Sequence, residues 1–192
     1  MWTSLNKKIY LFLGIIFAIG SVLGIIFLIY LDEASKDIIF LNINEWIQGI
    51  KGANINNIVP HVLILSSIFL LSLFIIGIPL VLFFVFYNGF SIGFTLMSLI
   101  EIFGIKGLLY GIIYIIITKG IYLFFLIIIV VSLLKISLIM LKRLFNKEKI
   151  NKENLNLLIK RILICIAIIF ISDIILYFGA SHLITVFNFL LN

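Results

Sequence analysis

The sequence predicts an all-α, polytopic membrane protein of about five transmembrane helices, with short broken helices in its middle. Of its 192 residues, 64% are hydrophobic and 11% are charged, whereas soluble domains are about 45–50% apolar and about 25% charged. The mean hydropathy is +1.36, and several apolar runs reach the roughly 20 residues that one crossing requires. A soluble fold of this length has too little interior to hide so much apolar surface.

Five apolar runs predict the spans of a single membrane domain, which also has a polar loop at residues 32–60 and a basic loop at 142–161. The first run follows Lys7 and Lys8. It lacks the short apolar core and the small-residue cleavage site of a signal peptide, so we expect it to remain as a span. The predicted spans are residues 9–31, 61–87, 89–103, 108–141 and 162–191.

Breaks in the helices are predicted in the middle of the chain. Pro79, next to Gly77, removes a helical hydrogen bond and predicts a kink in the second span. Residues 88–89 interrupt the apolar run without a charge, and residues 104–107 end the short helix that follows. The next apolar run is too long for one ordinary span, and we expect it to break near residues 118–120.

The basic residues predict the orientation, because short cytoplasmic loops are enriched in Lys and Arg. Most of the 14 basic residues lie at residues 7–8 and 142–161, so both segments are predicted to be cytoplasmic with an even number of crossings between them. Five spans meet this condition and place residues 32–60 and the C-terminus outside a plasma membrane. A re-entrant hairpin around residues 104–107 does not. The net charge of +6 then reflects topology and contact with the lipid bilayer, not nucleic acid.

No catalytic or metal-binding group of residues is recognisable. The chain has no H-E-x-x-H, Walker or G-x-S-x-G motif. Its one cysteine, Cys165, lies in an apolar run, and no third ligand accompanies His61 and His182 in the sequence. We therefore expect a protein that is not an enzyme and that binds no cofactor.

Three charged residues fall well inside the predicted spans, away from the ends of the apolar runs, where charges are costly and usually paired or functional. Lys135 lies about 10 Å and Asp173 about 17 Å from the cytoplasmic ends of their spans, at 1.5 Å per residue. A lysine stem can bridge that difference in depth, so we predict a Lys135–Asp173 pair that ties the last two helices together. Snorkelling of Lys135 beside a protonated Asp173, or a proton or ion path, are the alternatives. Lys119, near the outer boundary, is expected to snorkel.

The polar loop contains apolar residues at helical spacing. They predict an amphipathic helix, either in the membrane interface or packed on the ends of the bundle. This helix is the candidate partner surface, with Trp46 at headgroup level. The residues of the pattern are Ile39, Ile43, Trp46, Ile47 and Ile50.

Glycines recur at a spacing of four in three places, which allows close contact between helices. The pairs are Gly20 with Gly24, Gly89 with Gly93, and Gly107 with Gly111. Packing within the bundle is favoured over dimerisation.

Three glycine-rich segments, at residues 77–79, 88–95 and 104–107, resemble in order and spacing the stage II sporulation protein M family. A long apolar span and the basic turn at residues 142–145 follow, as they do in that family. The chain departs from it at residues 116–120, where a charge and a glycine replace the family's Pro-x-Asn element, as in a divergent member or a paralogue. The residues that carry the resemblance, and for which we expect a role in helix packing, are Gly77, Pro79, Gly89, Gly93, Phe94, Thr95, Gly104 and Gly107.

The resemblance implies a non-enzymatic membrane scaffold of the engulfment machinery of sporulating bacteria. Such a scaffold anchors peptidoglycan hydrolases, the stage II sporulation proteins P and D, at the septal membrane. The alternative is a membrane component of a transporter, such as the permease of an ATP-driven exporter, because broken helices and buried charge are common in transporters.

Overall fold

The computed structural model describes residues 2–47, 77–146 and 152–191, and the chain is helical through nearly all of these ranges. The predicted all-α class is confirmed for them. Within these ranges, two helices are long and apolar enough to cross a membrane, at Lys7–Ile29 and Ile78–Arg143. Residues 48–76, which include most of the second predicted span, lie outside the described residues. The helices are α1 (Trp2–Ile29), α2 (Glu33–Ile47), α3 (Gly77–Asn146) and α4 (Lys152–Leu191).

Helix α3 is a hairpin of two arms that reverses direction at Gly104. The backbone of Gly104 has φ 60° and ψ −138°, a conformation that essentially only glycine adopts. Residues 77–103 form the N-terminal arm and residues 105–146 the C-terminal arm. The arms pack side by side, since a Cβ on Gly107 would overlap the Leu99 carbonyl oxygen. The predicted end of a helix at Gly104 therefore agrees with the structure.

Two predicted breaks within these arms are wrong, because the helix continues through residues 88–89 and 118–120. The Asn88 side chain donates a hydrogen bond to the Phe84 carbonyl at 2.8 Å. The Thr118 hydroxyl donates to the Tyr114 carbonyl at 2.7 Å. Polar side chains that bond to their own helix four residues back need no break in the backbone.

The start of α3 bears on the predicted kink at Pro79. The described part of the helix begins at Gly77 and continues through Pro79, and a proline in the first turn of a helix removes no helical hydrogen bond. The residues before Gly77, which a kink would involve, lie outside the described residues.

Helix α1 runs parallel to the N-terminal arm of α3, with backbone against backbone. The Phe17 carbonyl lies against Gly89, and the Ser21 carbonyl lies against Gly93. The two residue numbers rise together, so the helices point the same way. A Cβ on either glycine would overlap these carbonyl oxygens, and only glycine permits the approach.

The contact is reciprocal, because glycines of α1 face the arm in turn. Gly20 lies against the backbone of Phe86, and Gly24 against that of Phe90. Above this seam, the Phe27 ring lies 5.5 Å from the Phe90 ring and 6.3 Å from the Phe94 ring, between centroids. Such aromatic contacts add to the packing of the two helices.

Helix α4 packs along the C-terminal arm of α3 and completes the core. Residues 129–134, 136 and 137 of that arm are all buried, as expected for a helix that is apolar all round. The buried residues of α4 that join the same core are Leu158, Ile162, Cys165 and Ile169.

We predict that Gly93→Ala destabilises the protein by about 1–3 kcal/mol, the usual cost of overpacking, because the added methyl group meets the Ser21 backbone. Gly120→Ala is the matched control, since no described part of the chain lies within 4 Å of a Cβ there. The control should be neutral or more stable, because alanine favours helix by about 1 kcal/mol. Thermal unfolding in detergent measures both. Equal stability of the two variants would contradict the glycine contact.

Candidate functional sites

One end of the molecule, here called the tip end, carries the turn at Gly104 and the start of α2. The Asp32 carboxylate accepts a hydrogen bond from the Ser35 amide at 3.0 Å and so caps α2. Hydrogen bonds from the Ser35 hydroxyl and amide hold the pKa of Asp32 below its ordinary value. The first turn of α2 is therefore well defined at neutral pH.

Lys36 fastens α2 to both neighbouring helices at the tip end. Its Nζ donates to the Ile29 carbonyl, the last residue of α1, at 3.2 Å. The same Nζ lies 3.6 Å from Oε1 of Glu101 in the N-terminal arm of α3. Sequence reasoning missed this ion pair, because residues 65 positions apart carry no shared pattern.

Helix α2 turns the predicted partner surface partly inward. Ile39 and Ile43 are half-buried, on a helix that contacts α3 and α4, which favours the bundle-packed alternative. The exposed apolar side chains are Ile38 and Leu41, each with 62% of its surface accessible. Their i, i+3 spacing was a signal in the sequence. The side chains of Trp46 and Ile47, and all of Ile50, lie outside the described residues.

A group of polar side chains lies deeper in the molecule, where the hairpin meets α4. The Lys119 Nζ lies 5.6 Å from the centroid of the Tyr122 ring, a distance suited to a cation–π contact. The Tyr122 hydroxyl is hydrogen-bonded to the Asn88 side chain, and the charge of Asp173 acts on both Tyr122 and Lys119. These four residues, from both arms of α3 and from α4, form the polar core cluster.

The structure gives Asp173 a different lysine from the predicted one. Lys119 interacts electrostatically with Asp173, whereas Lys135 interacts electrostatically with Arg161. The prediction took the helices to end at 141 and to begin at 162, but α3 ends at Asn146 and α4 begins at Lys152. Measured from these ends, Lys135 lies about 17 Å deep and Asp173 about 32 Å deep, at 1.5 Å per residue. A lysine stem does not bridge that difference.

Several of the residues that carried the family resemblance pack helices together or form the turn. Gly104 makes the turn, Gly107 packs the two arms, and Gly89 and Gly93 pack on α1. The Thr95 hydroxyl donates to the Ser91 carbonyl of its own helix at 2.8 Å.

The described residues contain no group of three or more His, Cys, Asp or Glu side chains that could hold a metal ion. Two buried hydroxyls donate hydrogen bonds within their own helices, Ser98 to the Phe94 carbonyl and Ser132 to the Ile128 carbonyl, each at 2.8 Å. The candidate sites are therefore the tip end and the polar core cluster.

Comparison with known proteins adds no assignment: no family model, curated protein or solved structure matches this chain. The resemblance to the stage II sporulation protein M family stays a prediction from the residues alone.

We predict that Lys119 and Asp173 are energetically coupled. Lys119→Met and Asp173→Asn should each lower the thermal stability in detergent, because each leaves the other charge in an apolar surrounding. The double variant should be more stable than the sum of the two losses implies, by about 1 kcal/mol or more. Lys135→Met combined with Asp173→Asn is the matched control and should be additive. Additive losses for the Lys119 combination would contradict the cluster.

Proposed function

We propose that this protein is a multi-pass membrane scaffold that presents a rigid surface, the tip end, to a partner protein outside the cell. The observation that carries the proposal is the attachment of α2. The Asp32 cap and the Lys36–Glu101 ion pair hold this helix against the hairpin, with Ile38 and Leu41 exposed. A helix fastened in this way offers a fixed apolar patch, and preorganised surfaces bind with a smaller loss of entropy.

The proposed topology has five spans, with the N-terminus and the basic loop in the cytoplasm and the tip end outside. The parallel packing of α1 and the N-terminal arm of α3 supports it. Helix α1 ends at the tip end and α3 starts at the opposite end, as the proposed topology requires. The basic residues Lys7, Lys8, Lys142 and Arg143 then share the cytoplasmic side, as the positive-inside rule expects.

The proposed partners are cell-wall hydrolases, such as the stage II sporulation proteins P and D, held at the septal membrane during engulfment. The support for this part is the resemblance in residues 77–79, 88–95 and 104–107. A scaffold role also fits the use of these segments in packing, because a protein that positions a partner needs rigidity more than a chemical group.

A membrane component of a transporter is the second candidate, favoured by the polar core cluster. Ionisable residues at membrane depth often mark a path for a substrate or an ion. Lys119 and Asp173, on different helices of one bundle, are the residues that such a path would use. The close glycine contacts between α1 and the hairpin indicate a rigid bundle. Because rigidity suits a scaffold better than a transporter, we rank the transporter second.

The test is a purification in mild detergent from the native host during starvation, with copurifying proteins identified by mass spectrometry. We expect an extracytoplasmic peptidoglycan hydrolase with the wild type. The amount of hydrolase that copurifies with Leu41→Glu should be at least 10-fold lower, because a charge enters the proposed apolar contact. Leu157→Glu is the matched control, since Leu157 is 57% exposed on the opposite end of the molecule, and it should retain the partner.

Two outcomes would overturn the scaffold. A cytoplasmic ATPase that copurifies with both variants would favour the transporter, with Lys119 and Asp173 as the residues to vary next. If Leu41→Glu and the control retain the hydrolase equally, the hydrolase would still be the partner, but α2 would be excluded as its binding surface.

A further inference from the structure

The exposed side of α2, here called its outer face, combines an apolar stripe with an acidic edge. At about 3.6 residues per turn, Ala34, Ile38 and Leu41 form one stripe along the helix, and all three are exposed. Glu33 and Asp37 are exposed as well and lie about one turn apart along one side of that stripe. A chain that approaches this face therefore meets two acids directly beside an apolar surface.

The opposite side of α2 is held by the bundle, which fixes the direction of the outer face. Ile39 and Ile43 are half-buried on that inner side. The Nζ of Lys36, the one cation in the sequence of α2, lies 3.2 Å from the Ile29 carbonyl oxygen and 3.6 Å from Oε1 of Glu101. Its charge is engaged by α1 and α3, so the outer face keeps a negative potential.

The size of the stripe suits about two turns of a second helix. Ala34 and Leu41 are separated by about 10 Å along the axis at roughly 1.5 Å per residue. A helix that packs there needs apolar residues that recur every three or four positions. Ile38 and Leu41 each have 62% of their surface accessible, and the contact is small. Its affinity therefore depends on charge pairing at the edge and on confinement of both proteins to one membrane.

Charge selects the occupant of this face. Lys or Arg side chains on the partner would lie opposite Glu33 and Asp37, and such complementarity steers association and disfavours wrong partners. A second copy of the chain would bring the same acidic patch to an isologous contact, where like charges repel. Anionic lipid headgroups attract basic segments and not acidic ones. A basic segment of a different protein is the occupant that fits.

We propose that the outer face of α2 binds a basic amphipathic helix of the partner protein. The apolar side chains of that helix would pack on Ala34, Ile38 and Leu41, and its Lys or Arg side chains would lie beside Glu33 and Asp37. This inference rests on the proposed scaffold function and names the chemistry of the segment that the scaffold holds. Because the acids are exposed, their attraction is screened by salt, whereas the apolar contact is not.

The test is photocrosslinking in membranes of the native host, with benzoylphenylalanine in place of Ala34 in the full chain. We expect a crosslink to an extracytoplasmic protein, at a segment with apolar residues at helical spacing and Lys or Arg beside them. The double variant Glu33→Gln with Asp37→Asn should lower the yield about 5-fold, as expected for the loss of two exposed ion pairs. Raising the salt from about 0.1 M to about 0.5 M should lower the yield of the parent chain but not that of the double variant.

Glu153→Gln is the matched control, since Glu153 is an exposed acid of α4 at the opposite end of the molecule. It should keep the full yield, with each yield normalised to the amount of chain in the membrane. Equal crosslinking of one extracytoplasmic protein in the double variant and the control would overturn the basic segment and leave the scaffold function standing. Crosslinks confined to lipid, to residues 48–76 of the same chain or to a second copy would overturn the surface and the scaffold function together.

Discussion

The close contact of α1 with the N-terminal arm of α3 is the interaction on which the rest of the structure depends. Four glycines, Gly20, Gly24, Gly89 and Gly93, let the two backbones touch, so dispersion and interlocking shape hold helices that the hydrophobic effect would not hold in lipid. Because the two helices are parallel, this contact also determines which residues of α1 and of the arm lie at the same height along the bundle. It puts the end of α1 beside the hairpin turn, where α2 is fastened.

The turn at Gly104 converts one long apolar helix into two arms that pack on each other. With the arms antiparallel, polar residues far apart in sequence come to the same depth. Asn88 meets Tyr122 across the hairpin, and α4 adds the charge of Asp173 to that of Lys119. Burial of these groups is tolerated because they interact with one another, and an isolated charge there would be costly.

The sequence predicted the helical class, the end of a helix at Gly104 and the close helix contacts at glycines four residues apart. Each of these depends on local composition or on a local period. It failed where tertiary contacts decide the outcome. Residues 88–89 and 118–120 have weak helix propensity, yet the side chains of Asn88 and Thr118 bond to their own helix and the helix continues. The predicted Lys135–Asp173 pair placed the two residues at similar depths, because it measured depth from the ends of the apolar runs. The helices extend beyond those ends, and the two residues lie at different depths. The Lys36–Glu101 ion pair joins two distant segments and had no sequence signal.

The parallel orientation of α1 and the hairpin can be measured directly by spin-label distances in lipid nanodiscs, in a Cys165→Ala background. Labels at Tyr30 and Ile105, which are 85% and 87% exposed, should lie within about 20 Å, roughly two helix diameters. Labels at Lys8 and Ile105 should be about 35 Å apart, the length of α1 between them at 1.5 Å per residue. A short Lys8–Ile105 distance with a long Tyr30–Ile105 distance would contradict the parallel packing, and with it the proposed topology.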